Sequence, residues 1–256
     1  MPETVLAAQM YTLRQFTQTP DNIAKALAKV RAMGYRAIQI SAFGPIDAAE
    51  LARMLDGEGL AVASTHSSWG LFTKEIDRLI EEHRMWGCKH PAIGGMPGEY
   101  RKAEGIAAFA KAAEDIGRKL AEAGMDFSYH NHNFEFQKAG GKTWLELLYD
   151  STDPRYVKAE IDTYWVQAGG GDPAEWVRRM SGRMPVLHLK DMVIGPERDV
   201  RMAEVGEGNL NWPAILAAAR DAGVQWYCVE QDNCYDRDPF DSLKISLDNL
   251  HAMGLK

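Results

Sequence analysis

The sequence predicts an α/β fold, a single-domain (β/α)8 TIM barrel spanning residues 1–256, on three observations. Apolar runs of strand length alternate with helix-period segments eight times along the chain. Strict alternation implies parallel strands joined by right-handed crossovers. The length, 256 residues, matches the roughly 250 that eight βα units occupy. Finally, strand one is followed by Tyr11-Thr12-Leu13-Arg14, not by the Gly-rich phosphate turn that opens many doubly wound sheets.

Each unit has its own signals. Val5–Tyr11 is the first apolar run. Asp21 is placed to cap a helix over Asn22–Met33, whose Ile23, Ala26, Leu27 and Val30 fall at helical spacing, and Gly34 stops it. Ala37–Ala42 is strand two, Asp47–Gly57 a helix, and Leu60–His66 strand three. Phe72–Trp86 reads as one helix ended by Gly87, and Pro91–Gly95 as a short strand four. Ala103–Ala123 is the longest helix. Strand five begins at Phe127 and runs into His130-Asn131-His132-Asn133-Phe134-Glu135. Thr143–Tyr149 is helical, and Val157–Trp165 is strand six. Asp172 caps a helix with Pro173 in its first turn, the favoured arrangement. Met184–Met192 is strand seven, 193–210 a long polar loop, and Asn211-Trp212-Pro213 opens a helix closed by Gly223. Trp226–Asp232 is strand eight and Pro239–Met253 the last helix.

Composition bounds the partners. The chain is 46% hydrophobic and 25% charged, with a net charge of −7 spread along its length. That disfavours nucleic acid, whose binders carry a basic face. No apolar run reaches the roughly 20 residues of a membrane helix, and the N-terminus has no signal-peptide pattern. Cys88, Cys228 and Cys234 form neither a CxxC pair nor a disulfide framework, which suits a reducing, cytoplasmic location. A homo-oligomer is compatible with the sequence but not specified by it.

In a βα barrel, polar residues at the carboxyl ends of the strands share one mouth. Strand one offers Gln9 and Tyr11 there, strand two Gln39 and Ser41, and strand three His66. Strand five offers His130, His132 and Glu135, strand six Glu160 and Asp162, strand seven His188, Lys190 and Asp191, and strand eight Glu230, Gln231 and Asp232. Carboxylates and imidazoles without thiolate suit one divalent ion such as Mn²⁺, Mg²⁺, Co²⁺ or Zn²⁺. Strand parity places Glu160 and Asp162 on one face, with Asp162 nearer the mouth. It also places Lys190 one layer above His188, and Glu230 on the face shared by Cys228 and Asp232. Taken singly, a strand-end histidine is commonly structural and Asp162 would be a helix cap or half of a surface salt bridge. Trp69, Tyr164, Trp165, Phe134 and Trp226 are either core or walls of a sugar pocket. On strand five the ligand is open among His130, His132 and Glu135.

The segments YHNHNFEF (129–136), EIDTYW (160–165), HLKDM (188–192), EVGEGNLNW (204–212) and VEQD (229–232), in this order, resemble the xylose isomerase-like TIM barrels. That group includes sugar phosphate isomerases/epimerases, inosose dehydratase, ketose 3-epimerases and endonuclease IV. The resemblance covers nearly the whole chain. It implies a metal held from strands five to eight by Glu135, Asp162, His188 and Glu230, with His130 the rival for the first position. It departs from the ketose epimerases, where strand five supplies a glutamate. The seven histidines and acidic charge argue against a multi-zinc nuclease.

The expected chemistry is proton abstraction beside the carbonyl of a sugar or cyclitol through an enediolate, with the ion as Lewis acid. Glu135 or Glu230 would be the base, His130, His132 or His66 the acid, and Lys190 an oxyanion partner. His66, Trp69, Gln9, Tyr164 and Glu204 are the expected substrate contacts. The first expectation is an isomerase or epimerase. The alternatives are a lyase, either a dehydratase or a 3-keto-glycoside-cleaving enzyme, and a non-catalytic sugar-binding barrel. No Gly-rich anion turn is present, so an unphosphorylated substrate is favoured. The 193–210 loop is either a lid or a long ordered connection.

Overall fold

The computed structural model describes residues 4–255. Eight parallel strands close into a barrel: β1 Val5–Gln9, β2 Ala37–Ile40, β3 Ala61–His66, β4 Pro91–Ile93, β5 Phe127–His130, β6 Val157–Asp162, β7 Val186–Leu189 and β8 Trp226–Val229. Around the ring each strand pairs with its sequence neighbours, and β1 closes on β8 through pairs such as Ala7 with Cys228. Among the described residues no helix is long and apolar enough to cross a membrane.

The barrel floor is filled by small side chains. Ala7, Ala37, Ala63, Val186 and Cys228 are fully buried there, as an interior of eight strands leaves room for little more. The larger apolar residues lie outside the sheet, beneath the helices. Ile23, Leu27 and Val30 of the first helix, Pro20–Met33, are completely buried against it, and Leu27→Ala there would cost about 2–5 kcal/mol.

Several boundaries differ from the sequence reading, each for a local reason. The first helix is capped by Thr19, which accepts from the Asn22 amide, rather than by Asp21; Pro20 then takes the first turn. The segment read as one helix over 72–86 is two, Trp69–Lys74 and Ile76–Met85, broken at Glu75 where ψ is 36°. The helix read from Ala103 begins at Ile106, after a 3-10 turn. Strand six stops at Asp162, whose carboxylate accepts from the Trp165 amide and so caps a new helix, Thr163–Ala168. The segment read as a polar loop holds part of an antiparallel hairpin, Asp191–Ile194 with Val200–Ala203.

That hairpin is tied down by one side chain. The Asp191 carboxylate accepts from the amides of Met192, Gly206, Gly208 and Leu210 and from the Trp212 indole, at 2.6–3.2 Å. A Cβ on Gly208 would fall 2.4 Å from Asp191 Oδ1. The EVGEGNLNW segment is thus wrapped around a buried carboxylate, which holds the connection above strand seven in an ordered form.

Candidate metal centre and active site

The strand ends build the site in two layers. The lower one is a buried polar layer: Gln9, Gln39, Ser64, Glu160 and His188 are all fully buried. An extra residue in β3 helps make it. The register passes from Ile38 opposite Val62 to Gln39 opposite Ser64, so Ala63 is bulged. A bulge shifts the side-chain alternation, which turns Ser64 and His66 inward.

The upper layer brings four donors together. His130, Asp162, His188 and Glu230 each offer one ligand atom, all within 4.8 Å of one another, and all four residues are buried. His130 Nε2 is 3.2 Å from Asp162 Oδ2, and His188 Nδ1 is 3.1 Å from Glu230 Oε2. Both imidazoles are engaged on their far side. His130 Nδ1 faces the Gly94 carbonyl at 3.4 Å, and His188 Nε2 lies 2.6 Å from Gln39 Oε1 and 2.8 Å from Glu160 Oε1. A carbonyl or carboxylate oxygen only accepts, so those far nitrogens carry protons; a cation held between the near nitrogens and the carboxylates would displace the near protons and meet the imidazole lone pairs. Two carboxylates and two such imidazoles are the donor chemistry of a divalent ion, and the residues present therefore fit one.

Lys190 completes the charge pattern. Its Nζ is 3.1 Å from Asp162 Oδ2, 2.8 Å from Glu230 Oε2 and 2.9 Å from Asp232 Oδ2. Burial pushes the Asp162 carboxyl up, but Lys190 and His130 outweigh it and hold it at about 2. Glu230 is likewise drawn well below its ordinary range against burial, by Lys190 and His188. His188 is held at about 10: burial opposes its charge, and Glu160 and Glu230 overcome that. Burial, with His188 adding to it, lowers His130 to about 4, and burial with His130 lowers His132 to about 3. Asp232 rises to about 7 through burial and the Glu230 charge.

Neighbouring motif residues fix these side chains. The Asp162 amide donates to Asn131 Oδ1 at 3.1 Å, and the Lys190 amide donates to Thr163 Oγ1 at 3.0 Å. Gly94 is required because a Cβ there would lie 2.9 Å from His66 Nδ1. Above the donors lies a cavity of about 460 Å³ whose lining includes His66, His130, His132, Trp165, Lys190, Glu230 and Asp232.

Of the other expected residues, some line the cavity and some do not. Glu135, favoured above as the strand-five ligand, is not among the converging donors. Strand five ends at His130 and residues Phe134–Phe136 coil into a 3-10 turn. That turn aims Glu135 back at the Tyr129 hydroxyl, 2.5 Å away, and at the His132 amide, 2.9 Å away. Burial raises its carboxyl to about 7. Among the expected substrate contacts His66 lines the cavity. Gln9 lies behind it, its Nε2 3.2 Å from His66 Nδ1. Trp69 packs on Tyr100 and Phe109, and Tyr164 packs edge-on against Trp165. Glu204 lies outside the mouth because its carboxylate is taken by the Ser242 hydroxyl and Arg237. The sequence placed Asp232 at the mouth on the face of Glu230 but gave it no role.

The model of the xylose isomerase-like TIM barrel family matches residues 27–251. The chain belongs to that family. The rhizopine catabolism protein MocC of Rhizobium meliloti is 23% identical over an alignment covering 91% of this chain and 82% of that protein. An inosose dehydratase of Geobacillus kaustophilus is 25% identical, over 66% of this chain and 61% of that enzyme. A sugar phosphate isomerase/epimerase from Parabacteroides distasonis superposes with a TM-score of 0.81 at 25% identity, covering 100% of this chain and 96% of that one. An L-ribulose 3-epimerase shares the fold, with a TM-score of 0.75 at 16% identity over 97% and 94% of the two chains. The relatives and neighbours of this xylose isomerase-like barrel thus include isomerases, epimerases and dehydratases, and it is an enzyme of that family.

Proposed function

We propose that this barrel is a divalent-metal-dependent lyase that eliminates water from an unphosphorylated keto-cyclitol or keto-sugar. The observation that carries this reading is the donor set itself. The four converging residues include one glutamate, Glu230, with His130 supplying the strand-five position. Epimerisation by two glutamates that exchange a proton across a carbon would need a second one there. Elimination needs one base and one acid.

The mouth supplies both. His132 presents Nδ1, buried and without a protein partner, on the strand-five side. Asp232 lines the strand-eight side, paired with Lys190. One of the two takes the proton from the carbon beside the carbonyl. The C–H pair becomes an enolate, which then expels the β-hydroxyl, and the other group protonates that hydroxyl as it leaves as water. The buried Lys190 ammonium places positive charge at the wall where oxyanion charge develops. A divalent ion bound by His130, Asp162, His188 and Glu230 would add Lewis-acid polarisation of the carbonyl. The cavity's one lysine is already balanced by three carboxylates, which suits a neutral polyol better than a phosphate.

The likeness to inosose dehydratase supports the same outcome, whereas the likeness to a sugar phosphate isomerase/epimerase supports isomerisation as the second reading. Incubating manganese-loaded protein with keto-inositols and ketoses in D₂O separates the two. Loss of water to a diketone-type product is expected. Deuterium retained at a stereocentre without loss of water would favour the isomerase. Metal and sugar binding with no turnover on any of them would leave a sugar-binding barrel.

A further inference from the structure

Beneath the four converging donors lies a carboxylate that faces neither substrate nor bulk water. Glu160 is fully buried. Its Oε1 is 2.6 Å from His66 Nε2, 2.8 Å from His188 Nε2 and 2.9 Å from Gln39 Nε2, and its Oε2 is 3.1 Å from Ser64 Oγ. A buried charge with this many donors on it is a fixed point of the structure.

The proton positions around it follow from a backbone group. The Tyr11 amide can only donate, and it donates to Gln9 Oε1 at 2.8 Å. The Gln9 side-chain amide nitrogen therefore faces His66, and His66 Nδ1, 3.2 Å away, accepts from it. His66 then carries its proton on Nε2 and donates it to Glu160. On the other side, the Gln39 amide nitrogen is drawn to Glu160 and Ser64, which turns its Oε1 to His188 Nε2. With two oxygens facing it, that nitrogen is a donor. His188 is left with Nδ1 toward Glu230 and Asp162, 3.1 and 3.8 Å away. The two rings Glu160 holds are stacked, their centroids 5.3 Å apart at 17°.

We propose that Glu160 is the positioning residue of the centre: it holds the proton of His188 on Nε2, which aims the Nδ1 lone pair at a divalent cation, and with the same oxygen it holds His66 as the cavity wall. This rests on the reading of His188 as a cation ligand. A carboxylate behind a ligating imidazole raises its basicity and sets its orientation, and losing one weakens metal binding by about 10- to 100-fold. His66, Glu160 and His188 also lie close enough to ligate an ion themselves. Against that, Glu160 Oε1 already receives three donors, and the two imidazole nitrogens among them carry protons.

The test uses the full chain, stripped with chelator and titrated with manganese alone by calorimetry. Wild type is expected to bind one ion. Glu160→Gln keeps the size of the side chain but offers an amide where a charge stood, and is expected to bind 10- to 100-fold more weakly at an unchanged far-UV spectrum. No binding by wild type would sink the metal reading itself. Binding by wild type and Glu160→Gln within threefold of each other would sink only the positioning role. Two ions per chain, one of them lost in Glu160→Gln, would overturn it by making Glu160 a ligand. Should the variant not fold, ¹⁵N-histidine spectra of zinc-loaded wild type decide the matter: a proton on His188 Nε2 is expected, and one on Nδ1 overturns the proposal.

Discussion

The two halves of the barrel mouth are built from the same kind of unit but carry different chemistry. The ends of β1 to β3 contribute Gln9, Gln39, Ser64 and His66, and β4 leads into the paired glycines Gly94 and Gly95. The ends of β5 to β8 contribute His130, Glu160, Asp162, His188, Lys190, Glu230 and Asp232. One half is neutral and hydrogen-bonding; the other holds every carboxylate of the centre. The neutral half is no passive wall. Through Gln9, Gln39 and Ser64 it fixes which nitrogen of His66 and His188 bears the proton. The division separates the groups that hold charge from those that decide how the charged groups point.

The largest effects are expected in the charged half. Asp162→Asn or Glu230→Gln should abolish manganese binding in calorimetry and lower kcat/KM by about three orders of magnitude or more. Retention of full metal content and activity in both would show the centre to lie elsewhere. Lys190→Met tests the charge balance. It leaves Asp162, Glu230 and Asp232 facing one another without their cation, and breaking a buried pair costs about 3–5 kcal/mol. Thermal unfolding without metal should register that loss. Added manganese should then raise Tm more in the variant than in wild type, since a cation restores the balance; an equal rise would show that the carboxylates do not meet the ion.

The neutral half has its own acid weakness. His83 is fully buried behind β3, with Nε2 2.8 Å from Thr65 Oγ1 and Nδ1 2.7 Å from the Leu79 carbonyl. Burial lowers it from 6.5 to about 4. The folded state therefore disfavours its protonation. The stability tied to neutral His83 is whole above pH 6.5 and is lost as pH falls toward 4, about 3 kcal/mol across that window. In urea unfolding at pH 7 and pH 4.5, His83→Gln should lose less stability on acidification than wild type. Equal losses would place the acid sensitivity elsewhere.

The barrel was legible because eight alternating units leave few other topologies. Asp162, His188 and Glu230 could be singled out because each ends a strand at a parity that faces the mouth, and the structure brings them together. His130 could not be separated from Glu135, because sequence does not show where strand five stops. The strand ends at His130, and the turn that follows sends Glu135 back to Tyr129. The bulge at Ala63 was also hidden, so Ser64 did not register as an inward group. Glu204 and Asp191 sit in segments that looked functional. Both are consumed by scaffolding contacts, a distinction that depends on three-dimensional partners rather than residue type.

The finest test of the division is Gln9→Leu. The substitution removes the donor to His66 Nδ1 and the acceptor for the Tyr11 amide but touches none of the four converging donors. His66 is then free to carry its proton on Nδ1, and a cavity wall that Glu160 still holds at one end becomes looser at the other. A lost neutral hydrogen bond of this kind is worth about 1 kcal/mol, so turnover should fall by roughly tenfold or less. Manganese affinity should stay within about twofold, because the His188 proton is fixed by Gln39 and Glu160, not by Gln9. Glu160→Gln, which disturbs both histidines, should lower affinity and turnover together. If Gln9→Leu lowers manganese affinity as much as it lowers turnover, the neutral half cannot be divided into a part that serves the cation and a part that serves the substrate, and the buried polar layer acts as one network.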